Sequence, residues 1–276
     1  RPEEIRVSVI APGATRLEDG ARPEPATVEF SGSAAKLDAI GKAAGGIKIE
    51  PPLAGRWLWE SDRRLTFIPS QDWPAGRAYR LRLDDSALAP QVKLASRDIR
   101  FSAPAFTSTV ESSEFHVDAQ DPKIKRVLVT LRFSHPVDAD DLEQRLTLTV
   151  DGKRRGLLGG PVRHGVEVAY DKLKGKAFVR SQPVLIPAED AAMTLRVAPG
   201  LRPSGSGLAS SHDIHATVRV PGLYSMFRLQ QSSVDIVRNE RQEPEQVLIL
   251  EASSGFESQD LAGKLGVYLL PQNLPS

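Results

Sequence analysis

Short segments in which apolar and polar residues strictly alternate, each cut off by Gly, Pro, Asp or Ser, constrain this chain more than any other feature. Ile5-Arg6-Val7-Ser8-Val9, Val28-Glu29-Phe30, Ile47-Lys48-Ile49-Glu50 and Trp57-Leu58-Trp59 follow the pattern. So do Leu65-Thr66-Phe67-Ile68, Tyr79-Arg80-Leu81-Arg82-Leu83 and Ile99-Arg100-Phe101. A period of two places Ile, Val, Phe and Trp on one face of a strand and Arg, Lys and Glu on the other. Sheets packed on one side and wet on the other result, and two of them face to face make a β-sandwich. Around Trp73-Pro74-Ala75-Gly76, where Pro presets φ and Gly releases the chain, Leu65 to Phe67 and Tyr79 to Leu83 read as a strand pair.

A second series repeats the order of the first. It comprises Val127 to Phe133, Leu146 to Val150, Val166 to Tyr170, Ala177 to Val179, Met193 to Val197 and Thr217 to Val220. Val28-Glu29-Phe30-Ser31-Gly32 matches Leu131-Arg132-Phe133-Ser134-His135, and each is followed by a stretch suited to one helical turn, Ala34 to Ile40 and Asp138 to Arg145. Tyr79 to Leu83 then matches Met193 to Val197, and the copies lie about 100 residues apart, the size of one sandwich domain. The expected architecture is therefore all-β, with tandem Ig-like β-sandwiches. Pro104 and Pro221 end the two series, giving a first sandwich over 1–104, a second over 105–221, and a remainder over 222–276. That remainder holds Ser233 to Val237, Gln246 to Leu250 and Gly266 to Leu270, too few strands to close a sandwich. It is either the start of a third domain or a strand extension over the second.

Composition excludes several functional classes. The 276 residues carry 36 Lys and Arg against 35 Asp and Glu, a net charge of +1, so no broad basic field points to nucleic acid. With 40% hydrophobic and 26% charged residues the chain can bury a core. It has no Cys, which removes disulfides, thiolate nucleophiles and thiolate-bound zinc. No apolar run reaches the ~18 residues of a membrane span. The chain opens at Arg1, which reads as an excised fragment or processed form.

Few residues suggest chemistry. Ser211-His212-Asp213 has the residue types of a hydrolytic triad, but sequence neighbours point apart, and His212 with His215 lies in a loop-and-strand context unsuited to a shared metal. His116, His135 and His164 are isolated. Asp138, Asp140 and Asp141 resemble part of a calcium loop without its Gly and terminal Glu. Gly156 to Gly160 and Gly205-Ser206-Gly207 lack the Lys-Ser/Thr of a phosphate loop. The basic residues Lys153, Arg154, Arg155, Arg163, Lys172, Lys174 and Lys176 read as the wet side of a hairpin. No catalytic, metal or cofactor-binding residue is assigned, no cofactor is expected, and binding residues are unknown. The chain's 3 tryptophans, Trp57, Trp59 and Trp73, either fill the first core or, if exposed, form a platform for sugar rings.

Three stretches carry a family resemblance: Ile49-Glu50-Pro51-Pro52-Leu53-Ala54-Gly55-Arg56-Trp57-Leu58-Trp59, Leu65-Thr66-Phe67-Ile68-Pro69 and Trp73-Pro74-Ala75-Gly76-Arg77-Ala78-Tyr79. They look like the amino-terminal part of bacterial alpha-2-macroglobulins. Arg228-Leu229, Val234 to Asn239 and Glu243 to Val247 look similar to the stretch that follows in the subfamily lacking a reactive thioester. The resemblance implies macroglobulin-type β-sandwiches serving as a non-enzymatic scaffold at the amino-terminal end of a long periplasmic protease trap, with an inner-membrane anchor on the parent as one option. Its partners would be proteases, met through other parts of the parent, and further envelope proteins. The alternative is an Ig-like carbohydrate-binding or adhesive module using an exposed tryptophan face.

Overall fold

The computed structural model describes residues 4–154, 161–253, 264–266 and 268, without the side chains of 152–154. The described residues of Arg1–Val184 with Ala192–Val218 form one compact unit, and those of Leu185–Ala191 with Arg219–Ser276 form another.

The first unit contains two β-sandwiches with the same strand order. In the first, β1 (Val7–Ile10), β2 (Ala26–Phe30), β4 (Gly55–Ser61) and β5 (Arg64–Pro69) form a sheet ordered β1-β2-β5-β4. Opposite it, β3 (Ile47–Glu50), β6 (Ala78–Leu83) and β7 (Asp98–Ser102) are ordered β3-β6-β7. In the second, β8 (Ser108–Val117), β9 (Lys125–Phe133), β12 (Val166–Tyr170) and β13 (Lys176–Ser181) form a sheet ordered β8-β9-β13-β12. Its companion sheet joins β10 (Leu146–Arg154), β11 (Pro161–His164), β14 (Ala191–Val197) and β15 (Ile214–Val220) in the order β11-β10-β14-β15. Apart from β11, the second copy repeats the first strand for strand.

The repeat extends to single hydrogen bonds. Ser31 Oγ accepts from Arg6 N at 2.9 Å while Ser31 N donates to Arg6 O at 2.9 Å. Ser134 makes the same pair with Thr107, at 2.8 Å and 3.0 Å. Phe30 N donates to Arg63 O and Phe133 N to Gly175 O, each reaching the hairpin turn of the neighbouring strand. The two expected helical turns occupy the same place in each copy, a 3-10 turn at Leu37–Ala39 and helix α1 at Ala139–Arg145.

Alternation decides what is buried. Tyr79, Leu81 and Leu83 of β6 point inward between Arg80 and Arg82, and Val127, Val129, Leu131 and Phe133 of β9 do likewise. The first core is aromatic: Trp59 lies 5.3 Å from Phe30, and Trp57 lies 5.0 Å from Phe67.

One expectation is corrected. Leu65 to Phe67 and Tyr79 to Leu83 are not partners, because β5 pairs with β2 and β4 while β6 pairs with β3 and β7. The chain between them crosses from one sheet to the other. Trp73 of that crossing drops into the core, its ring 5.6 Å from Phe67, 5.1 Å from Tyr79 and 5.6 Å from Phe101. An inserted indole holds the strands on opposite sides, whereas a tight hairpin would place them side by side.

Helix α1 is fixed by carboxylates. Asp138 caps it by accepting from Asp141 N at 3.1 Å. Asp141, only 4% exposed, accepts from Arg145 Nε at 2.9 Å and Arg202 N at 2.9 Å, with the Arg202 guanidinium at 3.3 Å. Burial opposes its charge, but these hydrogen bonds and cations outweigh burial and hold the carboxyl below its ordinary value. Stability from this group is therefore present at neutral pH and is lost as pH falls below the normal Asp range near 4. Asp141→Asn is expected to cost about 1–3 kcal/mol by urea unfolding at pH 7, and the difference from wild type should vanish in acid.

The second unit holds α2 (Leu223–Met226) and the hairpin of β16 (Leu229–Arg238) with β17 (Pro244–Ala252). Asp190 ties it together, accepting from Gly222 N at 2.8 Å and pairing with the Arg219 guanidinium. Hydrogen bonds from Ser225, Arg219 and Gly222 hold its carboxyl well below the usual range. Val234, Ile236 and Leu248 of the hairpin remain exposed. The expected strand over Gly266 to Leu270 lies largely outside the described residues.

Candidate functional site

Segments far apart in sequence meet where the two sandwiches join and enclose a cleft of about 450 Å³. The β1–β2 loop contributes Thr15, Arg16 and Leu17, the β5–β6 crossing contributes Asp72 and Trp73, and the end of β9 contributes His135. Pro203, Ser204 and Ser206 of the β14–β15 loop close the other side. That loop is stitched to the first sandwich through Ala75, which donates to Ser206 O at 3.3 Å and accepts from Leu208 N at 2.8 Å. Lys172 and Asp19 add an ion pair at 2.6 Å, and Leu17 packs onto Gly175 so closely that a Cβ there would lie 2.5 Å away.

His135 is the chemically distinctive group of this joint. It is 8% exposed, and its Nε2 is a buried polar atom with no hydrogen-bond partner. Nδ1 lies 2.9 Å from Ser134 Oγ, which already accepts from Thr107 N. The serine hydrogen has two acceptors in reach, Nδ1 and the more distant Ala105 O at 3.4 Å. Ser134 either donates to Nδ1, with the ring's own hydrogen on Nε2, or donates to Ala105 O and accepts from Nδ1–H, with Nε2 bare; in both arrangements Nε2 has no partner. Burial pushes the imidazole below the ordinary histidine value, and the charge of Asp72 pulls it partly back. Phe106, in the linker between the sandwiches, stands edge-on to the ring at 6.2 Å.

The other candidates do not converge. Ser211 Oγ contacts His212 Nδ1 at 3.1 Å, but Asp213 turns to Arg196 at 3.4 Å and His215 faces solvent on β15, so no triad forms. His164 Nε2 lies 2.9 Å from Gln182 O, and His116 is exposed. Asp138 and Asp141 are engaged at α1, and among the described residues no group of three or more His, Cys, Asp or Glu is arranged for a metal. Lys172 and Lys176 pair with Asp19 and Glu111, Lys174 occupies a turn with φ +53°, and Gly156 to Gly160 and Arg155 lie outside the described residues. Gly205-Ser206-Gly207 is the stitching loop just described.

The tryptophan platform is overturned. Trp57, Trp59 and Trp73 are 7%, 1% and 4% exposed, and Trp73 Nε1 donates to Glu24 O at 2.8 Å. The inward face of β4 meets Phe30 and Phe67, leaving no indole face for a sugar.

No family model matches the chain. An alpha-2-macroglobulin homolog of Yersinia pestis is 28% identical over 276 residues, covering 98% of this chain and 14% of that protein. An alpha-2-macroglobulin of Pasteurella multocida is 30% identical over 260 residues, covering 91% of this chain and 13% of that protein. One of Rickettsia conorii is 21% identical over 247 residues, covering 83% of this chain and 13% of that protein. A solved collagen adhesin from S. aureus has a TM-score of 0.17 and 8% identity, too low to bear on either fold or function. This chain thus spans about one-seventh of the relatives' length, and over nearly all of its own length it is bacterial alpha-2-macroglobulin-like.

Proposed function

We propose that this chain is the amino-terminal scaffold of a periplasmic alpha-2-macroglobulin-like endopeptidase inhibitor, of the subfamily without a thioester, that restrains proteases attacking the cell envelope. The observation that carries the reading is sequence similarity to bacterial alpha-2-macroglobulins over most of the chain, 98%, 91% and 83% of it for the three relatives. The role is mechanical rather than catalytic: sandwiches 1–104 and 105–221 form a jointed spacer, and 222–276 starts a third domain or adds strands to the second. An isolated two-stranded hairpin is marginally stable in water. The exposed Val234, Ile236 and Leu248 therefore favour further strands over a free-standing module. Among the described residues no helix is long and apolar enough to cross a membrane.

The test uses the parent protein. After cleavage by an endopeptidase, the bound protease should keep its activity on a small chromogenic peptide and lose most of its activity on a large protein substrate. Undiminished cleavage of the large substrate would remove the trapping mechanism.

A further inference from the structure

A buried polar atom with no partner needs a reason to persist, and His135 sits where a reason is available. Its ring lies on the second sandwich, Asp72, Trp73 and Thr15 reach the cleft from the first, and Phe106 of the linker packs against it. We propose that the joint between the two sandwiches is a proton-operated hinge, closed over neutral His135 and opened when that imidazole takes up a second proton.

The charged ring carries a hydrogen on each nitrogen. Ser134 then donates to Ala105 O, 3.4 Å away, and accepts from Nδ1–H, so that end of the ring is satisfied. Nε2 has no such alternative. In the closed joint its N–H would carry part of a positive charge, sealed from water and without an acceptor. Parting the sandwiches lets water reach it. Among the described residues the polar contacts that oppose parting are two backbone hydrogen bonds at Ala75 and the exposed Lys172–Asp19 pair, which is weak in water, and Leu17 on Gly175 and Leu208 on Gly76 add apolar packing.

The charged surroundings do not remove this cost. The β5–β6 crossing presents Asp72, the β1–β2 loop Arg16 and Glu18, and the β12–β13 turn Lys172 and Lys174 beside Leu173. The linker from Ala103 to Thr107 and the loop from Pro203 to Ser206 present no titratable side chain. On its own strand, Arg132 is paired with Glu111 at 2.6 Å. Asp72 favours the cation, yet burial outweighs it. The sign follows: a histidine easier to protonate in the open state favours the closed joint above the normal histidine range, and closure is lost as pH falls below about 6.5.

The absence of native Cys makes the test direct. Spin labels on Lys48→Cys in β3 and Glu114→Cys in β8, both at exposed positions, report the distance between sandwiches in the whole chain. A single narrow distance is expected at pH 8, with a second, longer population growing by up to about tenfold per pH unit below 6.5 while far-UV circular dichroism stays unchanged. His135→Phe should stay closed at pH 5. Asp72→Asn, a surface change that removes the charge favouring the cation in the closed joint, should move the opening midpoint to higher pH, and it carries the test if the Phe variant does not fold. The proposal is overturned by a wild-type distance that ignores pH, by opening that persists in His135→Phe, by an Asp72→Asn midpoint that stays or falls, or by opening that coincides with loss of secondary structure.

Discussion

Trp73→Ala is expected to destabilise the first sandwich by about 3–5 kcal/mol, the range for truncating a large aromatic in a core. The effect is this large because the indole fills the space between two sheets. It touches Phe67 on one and Tyr79 and Phe101 on the other, and its Nε1 satisfies Glu24 O. Alanine would leave a cavity spanning the sandwich and a carbonyl without its donor. Since all 3 tryptophans lie in the first sandwich, the fluorescence of Trp57 and Trp59 follows its urea unfolding without a signal from the second. Trp73→Phe, which keeps most of the volume and loses the hydrogen bond, should cost only about 1–2 kcal/mol. A loss below 1 kcal/mol for the alanine variant would mean that Trp73 does not bridge the sheets.

The same residue shows where sequence reading succeeds and where it stops. Alternation identified which side chains face inward, because burial on one face of a strand requires a period of two. It carried no information on which sheet a strand joins. Leu65 to Phe67 and Tyr79 to Leu83 have equally good patterns as partners or as opposite walls, and the difference lies in one indole between them. Burial of the tryptophans was open for a related reason: Trp57 and Trp59 share a face in either reading, and only the arrival of Phe30 and Phe67 beneath them closes it.

The joint was illegible for a different reason. Its cleft is assembled from Thr15, Asp72, His135 and Ser204, which no spacing rule connects. One trace is present in the repeat itself. Phe30-Ser31-Gly32 and Phe133-Ser134-His135 are equivalent, with equivalent serine hydrogen bonds, so the imidazole stands where the first copy has only a hydrogen atom.

Gly207→Ala should weaken the joint directly, by about 2–4 kcal/mol, combining backbone strain with loss of two hydrogen bonds. Gly207 has φ +156°, and a Cβ built on it lies 2.6 Å from Ala75 N and 2.9 Å from Ala75 O. Both obstacles are backbone atoms, which cannot rotate away like a side-chain tip. Relief requires the β14–β15 loop to withdraw from the first sandwich, breaking the Ala75 N to Ser206 O and Leu208 N to Ala75 O bonds. Amide exchange reads this locally: Leu208 N–H should lose its protection while Leu81, central in β6, keeps it. Retained protection at Leu208 would show that the loop tolerates a methyl group and that the close approach does not hold the sandwiches together. Lost protection at both sites would mean that the joint and the first core unfold as one. In the expected case the two sandwiches separate without unfolding, at neutral pH, with His135 uncharged, and the spin-label distance of the wild type in acid is reproduced by a methyl group.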